Sequence, residues 1–220
     1  MNPLKLAVFD CDGTLVDSQA NILRAMDDSF GWLGLDAPDP HSVRRVVGLS
    51  LVEAMQALLP EADSDLHTRL ADDYKLAFQR LRADSKLDAE PMFEGVRELL
   101  DDLTGEGWLL AVATGKSDRG LKLCLEHHGI FDRFISLQTA DRHPSKPNPS
   151  MLLACLAEAG VQADAACIIG DTVFDIGMGV AAGVKAIGVD WGYHDRHELE
   201  EAGAVGVAVD AADLKRLMHV

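Results

Sequence analysis

Two aspartates two residues apart, Asp10 and Asp12, close an apolar run and open a turn in Val8-Phe9-Asp10-Cys11-Asp12-Gly13-Thr14-Leu15-Val16-Asp17-Ser18. Leu4 to Phe9 reads as a buried strand, which puts Asp10 at its C-terminal edge, where open α/β sheets carry ligand sites. Gly13 lets the backbone turn tightly. Two carboxylates this close repel and are costly to bury alone, so a cation or a shared proton is expected beside them. Magnesium suits the position because it prefers hard oxygen ligands. Asp, Gly and Thr also build ordinary turns, so the rest of the chain has to decide.

Three more stretches have the same form, an apolar strand running into polar residues. Trp108 to Ala113 ends in Thr114-Gly115-Lys116-Ser117. A strand near Phe134 to Leu137 precedes the proline-rich loop Asp141 to Pro149, in which Lys146 stands between Ser145 and Pro147. Ala166 to Ile169 leads into Gly170-Asp171-Thr172-Val173-Phe174-Asp175-Ile176. In a parallel sheet the residues after Phe9, Ala113, Leu137 and Ile169 emerge on one edge. Each has a plainer reading: Thr114 or Ser117 as a helix cap, Thr172 with Asp175 as a capping box, Lys146 as a loop charge. Their coincidence on one edge points to phosphate chemistry.

The elements that must position them fall into two regimes. After the first strand, helical periodicity runs for about seventy residues. It gives helices over Gln19 to Gly31, around Arg44 to Val47, over Leu51 to Leu58 and over Leu66 to Leu81, with Asp36 to Pro40 and Gly48-Leu49-Ser50 as breaks. From Pro91, helices alternate with short strands: helices Glu94 to Gly105, Asp118 to His128, Ser150 to Ala159 and one ending at Ala182, strands Ala186 to Val189 and near Val205 to Val209, and a helix from Ala211. The expected architecture is α/β, a Rossmann-like three-layer core with a parallel sheet, built from residues 1–15 and 90–220, with an inserted all-helical cap over 16–89. No internal repeat is present.

Twenty basic residues against thirty-six acidic ones give a formal charge of -16, which disfavours nucleic acid and anionic membranes as partners. A small phosphorylated substrate would then need a local positive site from a metal, a lysine or a helix N-terminus. Cys11, Cys124, Cys155 and Cys167 form no C-x-x-C pair and read as buried thiols in a reducing compartment. Cys124 with His127 or His128 comes nearest to metal spacing, but two histidines before Gly129 fit a helix end. The short first apolar run and the lack of a long uncharged one lead us to expect a soluble cytoplasmic protein. Monomer and homodimer both stay open.

The order and spacing of Asp10-x-Asp12-Gly13-Thr14-Leu15-x-Asp17, Thr114-Gly115, Lys146-Pro147-Asn148-Pro149 and Gly170-Asp171-Thr172-x-x-Asp175-Ile176 resemble the four motifs of the haloacid dehalogenase superfamily over essentially the whole chain. The last two, with Ala181 to Tyr193, resemble its phosphoglycolate phosphatase-like branch. That resemblance implies a magnesium-dependent phosphatase that hydrolyses a small, phosphoglycolate-like phosphomonoester through an aspartyl-phosphate. It makes Asp10 the nucleophile and Asp12 the general acid/base, whose pKa the neighbouring acidic charge would raise. Thr114, Gly115 and Lys146 would hold the phosphoryl group. Asp171, Asp10 and the backbone oxygen of Asp12 would hold the metal, with Asp175 behind them or acting through water. Specificity would come from the cap, where Arg45, Gly48, Leu49 and Ser50 occupy a break between helices; Arg45 or Arg44 could meet a substrate anion, both could equally be solvated helix charges, and Lys116 could also touch substrate.

Sugar phosphatase, pyrophosphatase, nucleotidase and phosphoglucomutase-like phosphotransferase activities would use the same motifs. Dehalogenase and phosphonate-hydrolase branches resemble the chain less, because they lack the aspartate present here as Asp12. A signalling receiver domain would need an aspartate directly after the strand ending near Leu137, and none is there. A catalytically silent phosphate-binding protein on the same scaffold stays open.

Overall fold

Alternate residues of the first strand, β1 (Lys5–Phe9), leave it on opposite sides: Ala7 and Phe9 enter one apolar cluster, Leu6 and Val8 another. Burial on both faces is why the run is uninterruptedly apolar rather than alternating. A computed structural model describes residues 4–219. After β1 come four helices, α1 (Gln19–Trp32), α2 (Pro40–Val46), α3 (Leu51–Leu58) and α4 (Ser64–Ala83). The alternating part follows: α5 (Val96–Gly105), β2 (Trp108–Thr114), α6 (Asp118–His127), β3 (Phe134–Thr139), α7 (Ser150–Ala159), β4 (Ala166–Gly170) and α8 (Val173–Ala182). Then β5 (Lys185–Val189), α9 (Arg196–Glu201), β6 (Val207–Ala208) and α10 (Ala211–Met218) close the chain.

The six strands pair in parallel in the order β3-β2-β1-β4-β5-β6. One face packs on α5, α6 and α10 through residues such as Leu100, Leu125 and Leu214. The other packs on α7, α8 and α9 through Met151, Ile176 and Leu199. This is the expected Rossmann-like three-layer α/β fold. The strand order reverses direction at β1, so the C-terminal ends of β1 and β4 flank the crevice where such sheets bind ligands.

Helices α1–α4 gather around their own apolar cluster, to which Met26 and Phe30 of α1, Val43 of α2, Met55 of α3 and Leu70 of α4 contribute. Its caps are chemical: the Asp39 side chain accepts from the His41 and Ser42 amides, and Asp63 from Leu66. None of the helices among the described residues is long and apolar enough to cross a membrane.

Several boundaries shift by one or two residues from the sequence expectation, and four departures have a clear local cause. Pro40 begins α2 instead of ending the preceding break, because a first-turn proline loses no helical hydrogen bond. β3 continues past Leu137 to Thr139, carried by pairing of Thr139 with Thr114. The last strand shrinks to Val207 and Ala208, the only part of that segment registered on β5. Helix α9 is new to the account. It is closed by a capping box between Asp195 and Glu198, a four-residue pattern that hydrophobic periodicity alone passes over.

Candidate active site

Asp10 ends β1 at the centre of the sheet, its amide donating to the Ile169 carbonyl at 2.9 Å, and only 1% of its surface is exposed. Lys146 reaches it from the loop after β3. The ammonium is also buried, 2.9 Å from Asp10 Oδ1 and 2.6 Å from Asp175 Oδ1. Asp175 sits in the first turn of α8, where its other oxygen accepts from the Thr172 hydroxyl at 2.6 Å and backbone at 3.2 Å. The capping-box reading of Thr172 and Asp175 is therefore realised together with the site reading, one oxygen serving each.

Asp171, fully buried at the end of β4, accepts from the Thr14 hydroxyl at 2.7 Å and the Tyr193 amide at 3.0 Å. Gly13 lies against it with φ +82°, and a Cβ there would fall 2.2 Å from Asp171 Oδ2. Only glycine serves both the turn and the close approach. The later Trp191 donates from Nε1 to the Thr14 carbonyl at 3.2 Å and so braces the same loop.

Asp10, Asp171 and Asp175 each bring a carboxylate oxygen to within 4.8 Å of the others. Three buried carboxylates face one lysine, and the imbalance shows in their acidity. Burial, then the charges of Asp175 and Asp12, push the Asp10 carboxyl up to about 7, against the pull of Lys146. Burial, then the charges of Asp10 and Asp175, raise Asp171 well above the usual carboxylate range. Burial opposes the charge on Lys146, but Asp10 and Asp175 outweigh it and hold the ammonium up. Oδ1 of Asp10 has only the Lys146 ammonium beside it, and Oδ2 has no partner. A buried, hard oxygen acceptor left unpartnered in an acidic cluster fits a divalent cation such as prefers oxygen ligands. Asp10 offers the freer geometry, since both oxygens of Asp171 and both of Asp175 already have partners.

Asp12 points elsewhere. Its Oδ1 accepts from the Ser18 hydroxyl and lies 2.8 Å from Lys116 Nζ, both side chains nearly buried. Asp12 in return holds the Lys116 ammonium well above its usual value, overriding burial. The acidic surroundings expected for Asp12 from the sequence are thus answered by a cation two residues past β2, a pairing between neighbouring strand ends that no local pattern announces.

A cavity of 320 Å³ opens over these groups. Asp10, Asp12, Thr114, Gly115, Lys116 and Gly48 all line it, so the ends of β1 and β2 and the turn between α2 and α3 meet as expected. A Cβ on Gly115 would come 2.7 Å from the Leu49 carbonyl, which shows how closely that turn leans on the site. Ser50 does not line the cavity; its amide donates to Ser145 Oγ at 2.8 Å, near Lys146. Arg45, offered by the sequence as one possible substrate contact, also lies outside the lining. Its guanidinium forks onto both oxygens of Glu198 in α9 at 2.6 Å. Arg44 is half-buried with its Nε unpartnered and lies outside the cavity lining. The four cysteines are free and buried.

A family model described as haloacid dehalogenase-like hydrolase matches residues 7–189. The chain is 35% identical over 202 residues to "Probable phosphatase IndB" of Dickeya dadantii, covering 90% of this chain and 86% of that protein. It is 31% identical over 219 residues to the phosphoglycolate phosphatase of Chromobacterium violaceum, covering 97% of each. The crystal structure of a predicted phosphatase from Clostridium acetobutylicum superposes with a TM-score of 0.88 at 25% identity over the whole of both chains.

Proposed function

The chain belongs to the haloacid dehalogenase-like hydrolases and is a phosphoric monoester hydrolase, and on that premise we propose that it works with magnesium and cleaves a small phosphomonoester through an aspartyl-phosphate on Asp10. The observation that carries this reading is the buried set of Asp10, Asp171, Asp175 and Lys146, with Asp10 paired to Lys146 through one oxygen, unpartnered at the other, and lining a cavity.

In this reading Asp10 attacks phosphorus in line, and the bond to the leaving oxygen breaks as the bond to the carboxylate oxygen forms. A carboxyl held up to about 7 is only partly ionised near neutral pH, so the nucleophile depends on compensating positive charge. Lys146 supplies part of it. Magnesium, held by Asp10, Asp171 and the backbone oxygen of Asp12 with Asp175 behind them, would supply the rest as a Lewis acid. The Thr114 hydroxyl and Gly115 amide receive the phosphoryl oxygens. Asp12 gives a proton to the departing alkoxide and later takes one from the water that hydrolyses the aspartyl-phosphate. Lys116 and Ser18 fix the orientation of that carboxylate.

We take residues 16–89 as a cap over a core of 1–15 and 90–220, and the unpaired thiols as fitting a cytoplasmic setting. Phosphoglycolate, named for several relatives, heads the substrates to try. Phosphate release should be measured from phosphoglycolate, hexose phosphates, nucleoside monophosphates and pyrophosphate, in magnesium or EDTA, with wild type and Asp10→Asn. Release that needs magnesium and disappears in Asp10→Asn is expected. Release that persists in Asp10→Asn would sink the nucleophile assignment.

A further inference from the structure

The cavity over Asp10 has two unlike ends. Asp10, Asp12, Thr114 and Lys116 form the polar one, where a phosphoryl group belongs. The remainder is walled by all four helices of the insertion, with Ile22 and Met26 from α1, Val43 from α2, Leu51 from α3, and Tyr74 and Phe78 from α4. The cations nearest the inner wall are engaged: Lys116 is 2.8 Å from Asp12, and Arg45 is held by Glu198. Lys75, Arg82 and Arg119 also line the cavity, but Lys75 and Arg119 are exposed and Arg82 half-exposed, so their charges stay hydrated. A carboxylate or polyol pressed on the inner wall would lose water with few partners in return, which apolar groups avoid. The volume of 320 Å³ also falls within the range of about 300–1,000 Å³ that drug-sized ligands fill, so a two-carbon acid would leave much of it empty.

We propose that the substrate is the phosphomonoester of an apolar alcohol of at least four to six carbons, whose hydrocarbon part lies on this wall. The proposal rests on the phosphatase reading above and names the substrate class of that same site. The specificity it implies is directional: Phe78 and Met26 select the leaving group by contact area, while the polar end treats every phosphoryl group alike.

The test compares wild-type enzyme in magnesium on phosphoglycolate, glycerol 3-phosphate and the ethyl, butyl and hexyl phosphates. All have aliphatic leaving groups, so leaving-group acidity does not dominate. Each buried methylene should raise kcat/KM roughly three- to fourfold. Phe78→Asn should flatten that chain-length slope. Because this variant removes packing in the helical insertion, the same series of alkylphosphonates is also titrated calorimetrically against wild type, where Kd should fall with chain length by a similar factor. Phosphate release with no chain-length slope, or with phosphoglycolate or glycerol 3-phosphate preferred, overturns the apolar assignment and leaves the phosphatase standing. No release from any ester, with alkylphosphonates still tightening by chain length, overturns the phosphatase reading and leaves the wall's preference. No release and no slope in binding overturns both.

Discussion

The carboxylates of the candidate site are costly to bury, and this is where single substitutions should speak most clearly. Asp10 has a folded-state value of about 7 against an ordinary 3.8. A raised carboxyl stabilises the fold fully below about 3.8 and loses that contribution as pH climbs through about 7. In EDTA, Asp10→Asn should therefore be more stable than wild type at pH 8, and the difference in urea midpoint should close by pH 4. Equal midpoints throughout would show that Asp10 is not strained by burial. Lys146→Met removes the ammonium shared by Asp10 and Asp175 and leaves buried charge unpaired. A loss of about 3–5 kcal/mol at pH 8 is expected from urea unfolding, shrinking on acidification as the carboxyls take protons. An unchanged midpoint would mean that the lysine is not a structural partner.

At the scale of elements, the contact between α2 and α9 joins the helical insertion to the sheet's flanking layer through one bidentate pair. Arg45 and Glu198 are both about three-quarters covered or somewhat less, and the Arg45 hydrogen bonds hold the Glu198 carboxyl down to about 2 from 4.5. A depressed carboxyl contributes stability above 4.5 that disappears as pH falls toward 2. Glu198→Gln should cost roughly 1 kcal/mol near neutral pH, as a partly exposed pair does. The gap from wild type in chemical denaturation should vanish by about pH 2; a gap that is constant with pH would assign the effect to packing. The same pair explains why Arg45 does not line the cavity: its partner lies 153 residues away, on a helix that periodicity did not reveal.

For the molecule as a whole, a formal charge of -16 and a buried carboxylate cluster make cation binding a global stability term. Magnesium at a hundred times its Kd should add about 2.7 kcal/mol of stability, read as a rise in thermal midpoint. Asp171→Asn should abolish most of that rise, and a rise of the same size in the variant would place the ion elsewhere. The sequence alone determined the layers and the site's composition. The continuous apolar runs ending at Phe9 and Ile169 require strands buried on both faces, and parallel strands bring Asp10, Thr114 and Asp171 to one edge by geometry. Local patterns carry that information because strand burial repeats every two residues and capping acts within four. Only the tertiary structure decided the pairings, that Lys116 meets Asp12, that Thr14 meets Asp171 across 157 residues, that Arg45 turns to Glu198, and that four helices contribute apolar side chains to the cavity over Asp10. Such contacts join residues distant in the chain, and their partners are selected by the shape of the packed elements, which no short stretch of sequence contains.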